Sequence, residues 1–210
     1  MKLISRPLIN HAFNYVIHTC KLYNIDESHA LKHSMDVFDF SNRIYDCEII
    51  TNPILKTQQN IIHAAAIGHD MCDKKYMDEC EGVKEYKKYL DTYLEPVELD
   101  IVEKIITTMS YSKVKVNGYP ELGEYQTAYN IVREADLLSA YDFNRCIIYK
   151  MYRNNWSYMD ALSEALELFE IRVFKMITDE LFTTSYAKKE SLILHEKAKN
   201  EIDYIKQIFY

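Results

Sequence analysis

Glycine occurs only 4 times in this chain of 210 residues, and proline only 4 times. Tight hairpins and phosphate-cradling loops depend on glycine, because only glycine takes up positive φ at no steric cost. A chain this short of it has little with which to build a hairpin-rich sheet, a P-loop or a Rossmann fingerprint. The expectation is an all-α protein, a helical bundle. Hydrophobic residues make up 48% and charged residues 27%, enough apolar material for a sizeable core. No linker, repeat or low-complexity tract divides the sequence. One domain over residues 1–210 is expected, with a core at about 26–150 and extra helices at both ends.

Spacing and caps place the helices. Pro7 suits a first helical turn, with Leu8 to Tyr23 following. Asp26 or Ser28 can cap a second helix running to about Tyr45, with Leu31, Met35, Phe38 and Ile44 on its apolar side. Asn52-Pro53 opens a third, which ends near His69 after Gly68. Lys84 to Leu94 reads as a solvated helix, and Glu95-Pro96 starts another that runs through Met109. Lys113 to Gly123 reads as the one long loop. Helices resume from Glu124 to about Arg153, from Ser157 to about Leu181, and from Ser185 to the end.

The net charge is −7, so no basic field is available to hold duplex nucleic acid. No stretch approaches ~20 uninterrupted apolar residues, so neither a membrane span nor a signal peptide is expected. The 5 cysteines are odd in number and form no C-x-x-C pair. Free thiols in a reducing, cytoplasmic compartment are the expectation.

The chemistry gathers at a dipeptide, His69-Asp70. Upstream stand His29 and His33, four residues apart and so one helical turn apart. Downstream stands Asp136, between Ala135 and Leu137, where a partly buried carboxylate needs a cation. Either His29 or His33, with His69, Asp70 and Asp136, offers a mixed imidazole–carboxylate set for one divalent metal. Mn or Mg leads, with Co, Ni, Fe or Zn as alternatives. Such a set leaves coordination positions open for water, which suits hydrolysis rather than a structural clip. His11, His18, His63 and His195 have no ligand spacing and read as structural, with His63 an outside candidate for a pocket.

The order of these pieces resembles the HD-domain metal-dependent phosphohydrolase superfamily, whose pattern is H…HD…D on helices. The closer resemblance is to the branch of small HD-domain nucleoside-triphosphate pyrophosphohydrolases. It is carried by Asp26-Glu27-Ser28-His29-Ala30-Leu31-Lys32-His33, by Ala65-Ala66-Ile67-Gly68-His69-Asp70-Met71-Cys72-Asp73-Lys74-Lys75-Tyr76, by Ile105-Ile106-Thr107-Thr108-Met109-Ser110-Tyr111 and by Glu134-Ala135-Asp136-Leu137-Leu138-Ser139-Ala140. It covers roughly Asp26 to Ile148, and Thr183 to Phe209 weakly resembles the family's closing helices. The chain departs from the family pattern at Asp36, Leu137 and Ser139, where the family carries Arg, Arg and Asp.

The resemblance implies an HD-type bundle that splits nucleoside triphosphates into monophosphate and pyrophosphate. It implies His33, His69, Asp70 and Asp136 as the metal ligands, Asp73 as general base or water orienter, and His29, Lys75 and Lys113 as groups that hold phosphate or stabilise the transition state. Tyr111 and Tyr76 are the aromatic pocket candidates. A nucleotide or other phosphorylated small molecule is the expected ligand, and a homodimer is the assembly left open. Three alternatives stand beside this reading. They are a related nucleotidase or phosphodiesterase, a metal-containing binding protein without turnover, and an all-α interaction module without metal.

Overall fold

The computed structural model describes residues 6–209. Among these residues there are ten α-helices and two short 3-10 turns, and no strand. The helices are α1 (Arg6–Tyr23), α2 (Leu31–Glu48), α3 (Leu55–Gly68), α4 (Glu79–Leu90), α5 (Pro96–Thr108), α6 (Tyr111–Asn117), α7 (Gln126–Ser139), α8 (Phe143–Asn154), α9 (Tyr158–Ile171) and α10 (Ser185–Phe209). The 3-10 turns are Gly123–Tyr125 and Val173–Lys175. No described helix is long and apolar enough to cross a membrane.

The core is built around α3, which packs on α1, α2, α5 and α7. Its residues from Asn60 to Gly68 are buried without interruption, as an all-round small and apolar run allows. Gly68 lets the Tyr86 ring approach so closely that an added Cβ would lie 2.2 Å from a ring carbon. The Tyr86 hydroxyl then donates to the Ala64 carbonyl at 2.7 Å, so its polar end is satisfied in the core. α2 lies against both α3 and α7, and these three helices carry the residues that matter most below.

Local signals explain several of the boundaries. Asp78, Ser110, Asp142 and Ser157 each cap a helix by accepting from a backbone N–H three residues on. At α5, Pro96 occupies the first turn, and the Glu95 N–H donates to the Glu98 carboxylate at 2.9 Å.

Several boundaries differ from the sequence expectation. Asp26 and Ser28 do not cap α2, which starts at Leu31 behind Ala30 with no side-chain cap. Asp26 instead accepts from the Ser28 N–H at 3.0 Å, forming its own turn and leaving His29 ahead of the helix. The segment after Lys113 is not wholly a loop. Ser110 caps α6, and Gly118, at φ 73°, terminates it. The expected helix from Glu124 to Arg153 is two helices, parted at Ala140–Asp142. There Ser139 Oγ bonds back to Asp136 O at 2.7 Å and Asp142 caps the next helix. The helix from Ser157 stops at Ile171 and gives way to the 3-10 turn. The fourth starts at Glu79 rather than Lys84, because Asp78 caps it there.

Candidate metal centre

Three elements meet at the centre. His33 comes from the first turn of α2, His69 from the C-cap of α3 with Asp70 just beyond it, and Asp136 from α7. His33 Nε2 and His69 Nε2 stand 2.9 Å apart. Asp70 Oδ2 lies 3.1 Å from His33 Nε2 and 3.3 Å from His69 Nε2. Asp136 Oδ1 lies 3.5 Å and 3.7 Å from the same two nitrogens. His33, His69 and Asp136 each offer a ligand atom within 4.8 Å of the others, so the group can hold a metal ion.

The spacing suits an ion. Ligands ~2.1 Å from one cation stand ~3.0 Å apart when adjacent in an octahedron and ~3.4 Å apart in a tetrahedron. The His and Asp separations fall around those values. His69 Nδ1 donates to the Ala66 carbonyl at 2.9 Å, which fixes the ring and leaves Nε2 as the atom turned to the centre.

The electrostatics point the same way. Burial, helped by the Arg145 charge, pushes His33 down to about 3, so it is a neutral donor at neutral pH. Burial also opposes a charge on His69, but the Asp70 carboxylate outweighs it and brings His69 up to about 9. Burial likewise opposes the Asp70 charge, yet His69 and His33 hold it well below the usual carboxylate range. His69 and Asp70 thus carry opposite charges while no metal is bound, and a divalent cation would take the place of the proton on His69 Nε2.

A cavity of about 310 Å³ opens from this centre, near the lower end of the range for small-molecule sites (~300–1,000 Å³). His69, Asp70 and Asp136 lie in its wall, together with His29, Asp73, Lys75, Tyr111 and Lys113. His29 sits in the turn before α2, its ring centroid 6.1 Å from that of His33. Ser28 Oγ donates to Asp26, so it accepts from His29 Nδ1 at 2.6 Å. His29 Nε2 is then left to accept from Lys75 Nζ at 3.3 Å. Burial lowers the His29 pKa, in keeping with a neutral ring.

Lys75 Nζ also pairs with Asp73 Oδ2 at 3.3 Å and lies 5.4 Å from the centroid of the Tyr149 ring. Asp73 Oδ1 accepts from the Lys75 N–H at 2.8 Å, which holds the carboxylate on the cavity wall.

Two of the expected binding residues are otherwise engaged. Tyr76 is outside the cavity lining, and its hydroxyl donates to Asp26 Oδ2 at 2.8 Å. It supports the His29 turn. Lys113 is in the wall, but its ammonium pairs with Glu79 and donates to Thr107 O at 2.7 Å. His63 is also outside the cavity, buried against Phe38 and bonded to Asn42 Oδ1 at 2.9 Å.

Sequence reasoning missed Arg145, Tyr149 and Arg172, all in the cavity wall. Arg145 Nη1 reaches within 2.9 Å of His33 Nε2, and Arg172 lies over the Tyr111 ring, 4.2 Å from its centroid. Burial lowers the Arg172 pKa below the usual arginine value, with Asp136 opposing the shift and Arg145 adding to it. No spacing in the sequence marks them. Arg145 follows a helix break, and Arg172 follows the end of α9, so neither shares a helical face with a candidate ligand.

No protein-family model matches this chain, and no curated protein does. Among solved structures it is similar to a crystal structure of a Lactobacillus plantarum protein, a Northeast Structural Genomics target. The two share 17% identity over 99% of each chain, with a TM-score of 0.70. At that identity the likeness is one of fold.

Proposed function

We propose that this chain is a metal-dependent phosphohydrolase of the HD-domain type, hydrolysing nucleoside triphosphates to monophosphate and pyrophosphate. The observation that carries the reading is the convergence of His33, His69, Asp70 and Asp136 at the base of a cavity whose wall also holds Asp73 and Lys75. The order of the same residues in the sequence supports it.

A divalent cation at these four side chains, Mn or Mg first, would acidify a water and offset charge on phosphoryl oxygens. The remaining work falls to the chain. Asp73 accepts the proton of the attacking water. Lys75, held between Asp73 and His29, gives its charge to a phosphoryl oxygen. His29 is kept in one tautomer by Ser28 and Asp26, so its Nε2 orients the Lys75 ammonium. The water oxygen bonds to the α-phosphorus, the bond from that phosphorus to the bridging oxygen breaks, and pyrophosphate leaves.

The test is a nucleotide panel with Mn, Mg, Co and Ni, products resolved by chromatography. Monophosphate and pyrophosphate in equal amounts from triphosphates are expected. Inorganic phosphate from monophosphates would assign a monoesterase instead, and no turnover by metal-loaded protein would leave a binding protein.

A further inference from the structure

Arg145 sets a positive charge against a side chain that should itself take up a cation. Asp142 Oδ1 accepts from the Arg145 N–H at 3.1 Å, which fixes the residue in the first turn of α8. From there the guanidinium reaches the edge of the His33 ring, with Nη1 2.5 Å from Nδ1 and 2.9 Å from Nε2. The same Nε2 stands 2.9 Å from His69 Nε2 and 3.1 Å from Asp70 Oδ2, so it faces the point where the ligand atoms converge. An ion bound to it at ~2.1 Å would lie no more than about 5 Å from Arg145 Nη1. A guanidinium keeps its charge in a protein, so the two would repel. The His33 side chain is 1% exposed, and little water screens the repulsion there.

The charges of the other nearby cations are offset where they stand. Lys75 pairs with Asp73, and Lys113 with Glu79. Arg145 Nη1 has the Ser28 carbonyl at 3.4 Å, a neutral acceptor that leaves its charge in place. Arg145 also lines the cavity together with Asp70 and Asp136. An oxyanion held there can face the ion and the guanidinium together, and a guanidinium suits phosphate oxygens in pairs. We propose that Arg145 couples the metal to an oxyanion of the phosphate class. Its charge weakens the hold on a divalent cation alone, and the oxyanion, bound against both, replaces that repulsion with two attractions. The centre then fills with metal and oxyanion together, and by linkage each tightens the other. The inference rests on the metal reading above and adds regulation to that site, whichever phosphate compound is the substrate.

Metal binding tests it without turnover. Mn is titrated by calorimetry into the full chain, alone and with excess inorganic phosphate. Blanks without protein account for Mn held by phosphate in solution. In the parent, phosphate should tighten Mn binding about fivefold or more. Arg145→Gln should bind Mn alone about threefold more tightly than the parent, and phosphate should then improve its Mn binding by less than about twofold. Arg145→Lys keeps the charge and should keep part of the phosphate gain. Arg145→Met repeats the neutral test should the glutamine variant not fold. A neutral variant that binds Mn no more tightly than the parent would make Arg145 a support for His33 and overturn the proposal. An undiminished phosphate gain in that variant would assign the coupling to phosphate on the metal alone and overturn it too, as would a parent with no gain. In each of these cases Mn still binds and the metal reading stands. If neither the parent nor any variant binds Mn, with phosphate or without, the metal reading falls and the proposal falls with it.

Discussion

His33 and His69, 36 residues apart in the chain, bring their Nε2 atoms to 2.9 Å, the separation of neighbouring ligands on one cation. Metal uptake should therefore stabilise the folded chain. At a free Mn concentration of ~100 times Kd the gain is ~2.7 kcal/mol, which for a chain of this length raises Tm by about 5–10 °C. A chelator should reverse the shift, and Asp70→Ala should abolish it. Melting curves that ignore both Mn and chelator would refute the metal centre.

In the proposed reaction Asp73 and Lys75 have separable tasks. Asp73→Asn keeps the backbone bond from Lys75 within reach but cannot take a proton. It should lower kcat ~10²–10⁴-fold with little change in KM. Lys75→Ala should act mainly on KM. Both variants should bind Mn as the parent does, measured by titration of free Mn. Parental kinetics in both would place the two residues outside the reaction.

Glu134 is 1% exposed and holds the start of α10 in place. One oxygen accepts from Thr183 N at 2.8 Å and Thr183 Oγ1 at 2.5 Å, the other from Thr184 N at 3.0 Å and Thr184 Oγ1 at 2.6 Å. Glu134→Ala strands four donors and should cost ~3–5 kcal/mol by urea denaturation. Glu134→Gln, which keeps the shape and one carbonyl oxygen, should cost roughly half that. Glu134→Ala within ~1 kcal/mol of the parent would show that the anchor carries little weight.

His63 makes stability depend on pH. Burial pushes its pKa down to about 4, and its Nδ1 is buried without a partner. The unfolded chain takes up a proton near pH 6.5 that the folded imidazole refuses. The contribution is complete above 6.5 and is lost as pH falls toward about 4. Between pH 7.5 and 5 the parent should lose roughly 2 kcal/mol more than His63→Gln, which has no proton to gain. Equal losses in urea titrations at the two pH values would show that His63 does not titrate in this way.

Residue types and short-range order were enough to determine part of this molecule. The scarcity of glycine excluded a hairpin-rich fold, and periodic apolar residues with Pro7, Pro53, Gly68 and Pro96 marked several helices. The four candidate ligands could be named as well, since imidazole and carboxylate chemistry is a property of each residue. Only the tertiary structure decided which side chains meet. Helical periodicity records a face over a few turns, whereas His33 and Asp136 are joined by the packing of α2 against α7. The break at Ala140–Asp142 turned on one cap and one serine back-bond, which local propensity does not weigh against a longer helix. Lys113 lost its free charge to Glu79, 34 residues away, and Arg145 and Arg172 gained a place on the cavity wall. Partners like these depend on how helices cross, and crossing is set by the whole core rather than by any segment of the chain.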